Sequence, residues 1–173
     1  MKISVVIPTF NEKESIPGLY LEIYNAVSGN YDWEIIFVDD GSSDGSRGEI
    51  ERIITKDSKV KLISFYRNFG KSAALSEGFK HSKGDIIITM DADLQDDPAE
   101  IPNLINKINE GYDLVSGWKK IRHDPWTKTF PSKIFNFVTR LLTGVKIHDF
   151  NCGLKAYRNS VVKSIEVFGG RHR

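Results

Sequence analysis

The sequence predicts an α/β protein built on a mostly parallel sheet with helices on both faces. Three observations carry this. Short runs of β-branched and apolar residues alternate with stretches of helical periodicity. The runs are apolar at consecutive positions, as strands buried on both faces are. Each is followed by a polar loop, and in open parallel sheets the carboxyl ends of strands are where ligands bind.

Lys2 to Ile7 is the first such run, with Pro8 read as its stop. Pro17 suits the first turn of a helix in which Ile16, Leu19, Tyr20, Ile23 and Val27 recur at helical spacing until Gly29. Trp33 to Val38 is the second strand, and a helix over roughly residues 47–56 follows a turn of small polar residues. Val60 to Phe65 leads through Tyr66, Arg67, Asn68, Phe69 and Gly70 into a helix carrying Ala73, Ala74, Leu75 and Phe79. Ile86 to Met90 is the fourth strand, a helix is expected near Ala99 to Glu110, and Tyr112 to Gly117 is the fifth strand. A helical stretch over Pro131 to Thr143 has one apolar face, suited either to a core or to a membrane surface. A short strand at Leu154 to Tyr157 closes the series.

A chain of 173 residues, 40% hydrophobic and 27% charged, has enough apolar surface for one domain with its own core. Cys152 is the only cysteine, which excludes an intramolecular disulfide. Its neighbours His148 and Asp149 make neither a zinc site nor a triad, so Cys152 reads as a small buried residue. No apolar stretch approaches the 18 residues of a membrane span, and no leader peptide is read at Met1. The net charge of +1 hides a split. Residues 1–117 hold 12 Lys and Arg against 20 Asp and Glu, whereas residues 118–173 hold 12 against 3. The acidic part suits a metal; the basic part suits phosphates or an anionic membrane.

The acids gather past strand ends. After the fourth strand come Asp91, Ala92, Asp93, Gln95, Asp96 and Asp97. On extended backbone Asp91 and Asp93 share a face, and two carboxylates held close call for a cation between them. With Gln95 as a neutral third ligand, these hard oxygens suit Mg²⁺ or Mn²⁺ better than zinc. The alternative is a solvated turn in which Asp93 or Asp97 caps the helix after Pro98. Asp39 and Asp40 end the second strand in the same way. The stretch from Asp40 to Glu51 has EF-hand spacing, but a strand precedes it and Arg47 stands at the usually apolar eighth position, so that reading is rejected. Arg67 and Lys71 stand at a helix start, where an anion can be met. Glycine-rich phosphate loops of the G-x-G-x-x-G and G-x-x-x-x-G-K-[ST] kinds are absent, so a nucleotide here has to be held through carboxylates and a metal.

Taken together, IPTFNE, VDDGSSDGS, RNFGKSAAL, DADLQDDP and DFNCGLKAY resemble the family 2 glycosyltransferases of GT-A fold. The nearest likeness is to the branch with dolichol-phosphate mannosyltransferases and bacterial polyprenyl-phosphate glycosyltransferases. The resemblance implies a Rossmann-like three-layer αβα sandwich in one catalytic domain over residues 1–173. Residues 1–117 would form its nucleotide-sugar-binding part, and residues 118–173 a basic acceptor-side part. It implies that Pro8, Phe10, Glu12, Val38 and Asp40 enclose the base and ribose, with Lys71 also on the donor, and that Asp91, Ala92, Asp93 and Gln95 hold metal and diphosphate. Asp149 matches the carboxylate near the acceptor, and Lys119 and Arg122 fall where basic diphosphate contacts are found.

The implied activity is inverting transfer of a hexose from a UDP- or GDP-sugar to a polyprenyl phosphate such as dolichyl or undecaprenyl phosphate, with Mg²⁺ or Mn²⁺. Asp149 and Asp93 are the implied catalytic residues. A phosphate acceptor is largely dianionic at neutral pH and needs little help from a base. The enzyme is expected on the cytoplasmic face of the membrane as a peripheral protein that binds no nucleic acid. The stretch from Val167 to Arg173 resembles the start of a segment that continues, in the family, into an acceptor-side helix and membrane helices, so a shortened chain is expected. Two other readings stand beside this one: transfer to a saccharide hydroxyl, and a nucleotide-sugar and metal-binding module without turnover. A sugar nucleotidyltransferase is disfavoured because no glycine-rich activating loop lies near Thr9 to Glu14.

Overall fold

Alternation at period two makes both faces of the central strands apolar. In β1 (Lys2–Thr9) Ile3, Val5 and Ile7 join one core cluster and Val6 the other. This computed structural model describes residues 1–118 and 152–164. Lys119, Arg122, Asp149 and the stretch read as a helix over Pro131 to Thr143 lie outside the described residues.

The described elements alternate as the sequence predicts. β1 is followed by α1 (Ile16–Val27), β2 (Asp32–Asp39), α2 (Ser46–Ile54), β3 (Val60–Ser64) and α3 (Lys71–His81). Then come β4 (Ile86–Thr89), a 3₁₀ turn at Pro98–Glu100, α4 (Ile101–Asn109), β5 (Leu114–Ser116), β6 (Lys155–Arg158) and α5 (Asn159–Ser164). The strands form one six-stranded sheet in the order β3-β2-β1-β4-β6-β5. On one face Ile16, Leu19, Ile50, Leu104 and Ile108, from α1, α2 and α4, pack against Ile3, Ile35, Phe37 and Ile88. On the other face Ala74, Leu75 and Phe79 of α3 and Val162 of α5 cover Val6, Ile36, Val38 and Ile87. This is a three-layer αβα sandwich. Gly78 lets α3 lie close over β1, since an added methyl would overlap Val6 and stand 3.2 Å from Val38 Cγ2.

Two features differ from the sequence reading. Pro8 does not stop β1, which runs on to Thr9 with Pro8 opposite Val38. Val6 O accepts from Met90 N, so Pro8, two residues on, turns its missing donor to the β4 side. The β1–β4 ladder has already ended there, at Val6 and Thr89. No ladder bond is lost, and a proline is tolerated inside a central strand.

The second difference is β6. It enters between β4 and β5 and runs antiparallel to both, with Thr89 opposite Lys155 and Ile86 opposite Arg158. Its reversed direction brings Cys152 and Gly153, just ahead of it, to the carboxyl end of β4, where Thr89 Oγ1 donates to Gly153 O at 3.0 Å. Cys152 is buried there, as the sequence reading expects. Among the described residues no helix is long and apolar enough to cross a membrane.

Candidate active site

The loops after β1, β2, β3 and β4 meet at one end of the sheet around an open cleft of about 340 Å³, a volume within the range of small-ligand sites. Its walls include Pro8 from the end of β1, Phe10 and Glu12 from the loop after it and Asp40 from the loop after β2. Lys71 enters from the start of α3, and Asp91, Ala92 and Asp93 from the end of β4. The cleft also takes in Thr9, Asn68 and Gly70, to which the sequence reading assigned no role. The signal for Asn68 and Gly70 was their place just past the third strand.

Side chains stitch the first two loops together. Asn11 N donates to Ser42 Oγ at 2.9 Å, Ser43 N to Asn11 Oδ1 at 2.9 Å, Glu12 N to Ser46 Oγ at 2.8 Å and Lys13 N to Asp44 Oδ2 at 3.0 Å. Asn11 has φ 56, a left-handed conformation that asparagine adopts more readily than most residues. The Ser46 hydroxyl, 2.5 Å from Asp44 Oδ1, is the chief cause holding the Asp44 carboxyl below its ordinary pKa. Within the rejected EF-hand pattern Asp44 is thus a loop tie, while Glu51 lies in α2 and pairs with Arg47 at 2.8 Å.

Asp40 ties the second loop to the third. Its buried carboxylate accepts from Phe69 N at 2.7 Å on Oδ1 and from Gly70 N at 2.8 Å on Oδ2. The neighbouring Gly41, at φ 77, allows this approach, because a Cβ there would stand 2.6 Å from the Arg67 carbonyl carbon. Phe10, 46% exposed, lines the cleft with an aromatic side chain, a residue type that can stack on a flat base. Val38, expected at the base, is fully buried under α3 and does not line the cleft.

The acidic segment departs from its expected geometry. β4 ends at Thr89, the chain bends over residues 92–94, and Leu94 sits at φ 59. Asp91 and Asp93 therefore do not share one face of an extended strand. Asp91 Oδ1 pairs with Lys71 Nζ across the cleft, while Asp93 Oδ1 accepts from Gln95 N at 3.1 Å. Gln95 is exposed and off the cleft wall, because the left-handed bend at Leu94 turns the chain outward. Asp97 has the capping role the alternative reading gave it, its Oδ1 accepting from Ala99 N at 2.9 Å.

Asp91 is braced from below. Its N–H donates to the buried Asp96 Oδ2 at 3.3 Å. The Gly153 backbone lies so close that a Cβ would stand 2.7 Å from Asp91 Cγ and 2.8 Å from Asp96 Oδ2. Asp96 and Gly153 were missed, since nothing local in the sequence couples two residues so far apart.

No three His, Cys, Asp or Glu cluster as a metal site among the described residues. The donor chemistry still fits a hard divalent cation, for Mg²⁺ is commonly held by one or two carboxylates together with substrate phosphate oxygens and water. Among the described residues on the cleft wall, Glu12, Asp40, Asp91 and Asp93 are anionic and Lys71 is the one cation. A bare diphosphate would meet a net negative wall, which a divalent cation would offset.

The family model described as glycosyl transferase family 2 matches residues 4–166. The chain belongs to this family. An undecaprenyl-phosphate 4-deoxy-4-formamido-L-arabinose transferase of Shewanella sediminis is 43% identical over 165 residues, 94% of this chain and 50% of that protein. A dodecaprenyl-phosphate galacturonate synthase of Rhizobium johnstonii is 37% identical over 177 residues, 100% of this chain and 52% of that protein. This family 2 chain thus spans about half the length of both curated relatives. A solved mannosyltransferase from Pyrobaculum calidifontis, in complex with GDP-Man and Mn²⁺, superposes with a TM-score of 0.73 at 22% identity, over 96% of this chain and 47% of that one. Glucosyl-3-phosphoglycerate synthase from Mycobacterium tuberculosis, in complex with Mn²⁺, UDP-glucose and glycerol 3-phosphate, gives 0.75 at 24% identity, over 95% and 59%. The shared fold is GT-A.

Proposed function

We propose that this chain carries the donor site of an inverting glycosyltransferase that moves a hexose from a nucleoside-diphosphate sugar to a polyprenyl phosphate. The observation that carries the reading is the cleft itself. An exposed Phe10 ring, a buried Asp40 and a net excess of carboxylates surround a space at the carboxyl ends of four strands. The acceptor class is supported by the relatives, which are named for undecaprenyl phosphate and dodecaprenyl phosphate. Donor class and metal are supported by structures that hold GDP-Man or UDP-glucose with Mn²⁺.

In this reading Pro8 and Phe10 take the base, Glu12 and Asp40 its polar edge and ribose, and Asp91 and Asp93 hold Mg²⁺ or Mn²⁺. When bound, that cation offsets the charge developing on the departing diphosphate. Residues 1–117 form the nucleotide-sugar part and the basic residues 118–173 the acceptor side of one catalytic domain. There Asp149 orients the acceptor, and Lys119 and Arg122 meet phosphate. The protein acts peripherally at the cytoplasmic membrane face.

The test is a thermal-shift titration with UDP and GDP, each with and without Mn²⁺, on wild type and Asp93→Asn. One nucleotide at a hundred times its Kd is expected to stabilise the wild type by about 2.7 kcal/mol, only with metal, and to lose that effect in the variant. No shift with either nucleotide overturns the donor site.

A further inference from the structure

We propose that Lys71 is a placeholder for the divalent cation: it neutralises Asp91 while the donor site is empty and moves to the diphosphate when cation and nucleotide bind. The proposal deepens the donor-site reading and rests on it. Lys71 is the first residue of α3, and its ammonium pairs with Asp91 Oδ1 at the end of β4. Both side chains line the cleft and remain reachable from solvent, 36% and 31% exposed.

Gly153 lies on the Oδ2 side of the Asp91 carboxylate, where a Cβ would stand 2.7 Å away. Oδ1 is the oxygen that faces Lys71, and the ammonium occupies it.

A divalent cation about 2.1 Å from Oδ1 would stand within a few ångströms of the ammonium. Like charges at that separation repel strongly in a half-buried site. The ammonium has to leave. Its flexible four-carbon stem can swing, and the nearest new anion would be the diphosphate that accompanies the metal. Cation alone therefore meets competition, whereas cation and nucleotide together do not. Each strengthens the other's binding, and such coupling is reciprocal.

The test is Mn²⁺ binding to the full chain, followed by electron paramagnetic resonance of the free ion, with and without UDP or GDP. Wild type, Lys71→Met and Lys71→Arg are compared, with Lys71→Gln as the neutral substitute should Lys71→Met not fold. Without nucleotide, the neutral variant is expected to bind Mn²⁺ about two- to fivefold tighter, the range set by a partly exposed ion pair. With Mn²⁺ present, it is expected to bind nucleotide about tenfold more weakly, for want of a charge-assisted contact. Lys71→Arg keeps the wild-type pattern. Mn²⁺ binding that is unchanged or weaker in the neutral variant overturns the placeholder and leaves the donor site standing, provided wild type binds nucleotide with Mn²⁺. A wild type without metal-dependent nucleotide binding overturns both.

Discussion

Glu34 and Lys61 join β2 to β3 at the end of the sheet away from the cleft, Oε2 accepting from Nζ at 2.5 Å. The Glu34 carboxylate is buried, and its other oxygen accepts from Ser4 Oγ at 2.6 Å and from Lys83 N at 2.7 Å. Burial pushes its pKa up, but the bonds from Lys61, Ser4 and Lys83 outweigh burial and hold it below the ordinary 4.5. A carboxyl with a lowered folded pKa contributes stability that is complete above its unfolded value and is lost as pH falls through the folded one. Glu34→Gln is therefore expected to lower stability by about 1–3 kcal/mol at pH 7. The difference from wild type should shrink below pH 4.5, as urea melts across pH will register. An unchanged difference at low pH counts against this role.

Asp40 is the acceptor that shapes the third loop. Asn in its place keeps one acceptor oxygen but turns an NH₂ toward the Phe69 or Gly70 amide. Asp40→Asn is expected to lose about 1–3 kcal/mol. Amide hydrogen exchange at residues 69 and 70 should quicken before the strands respond. Equal acceleration throughout β1 and β2 would show global unfolding instead.

Gly153→Ala reaches the acidic segment without removing any charged residue. The new methyl would stand 2.7 Å from Asp91 Cγ, so the half-exposed carboxylate has to move. Metal-dependent nucleotide binding is expected to fall about tenfold or more, because small misplacements at a preorganised site are expensive. Urea unfolding is expected to shift by under about 2 kcal/mol, within the range for added core methyls. Calorimetry with UDP and GDP in Mn²⁺ measures the first effect, and wild-type affinity would sink the assignment.

Much of the fold was legible in local residue patterns. Ile16, Leu19, Ile23 and Val27 are the buried stripe of α1 that their spacing predicts. Ile86, Ile87 and Ile88 are buried on both faces of β4, as a continuous apolar run requires. At the site, the strand-end rule gathered residues 8–12, Asp39, Asp40 and residues 91–95, and of these Pro8, Phe10, Glu12, Asp40, Asp91 and Asp93 share one cleft, whereas Asp39 turns to Ser42 N. Val38 and Gln95 escaped it because family motifs mark stretches of chain, whereas exposure depends on a covering helix in one case and a left-handed bend in the other.

Residue order alone carries the alternation of strands and helices, the gathering of acids at strand ends and the family. These depend on periodicity and neighbours within a few residues, which the chain states directly. It took the folded chain to show that β6 enters antiparallel beside β4, that Pro8 faces a side with no ladder, and that Asp91 lies between Lys71 and Gly153. Those outcomes join residues tens of positions apart. They follow from which strand can pair with the open side of β4 and which charge can reach across the cleft, and no local pattern encodes either.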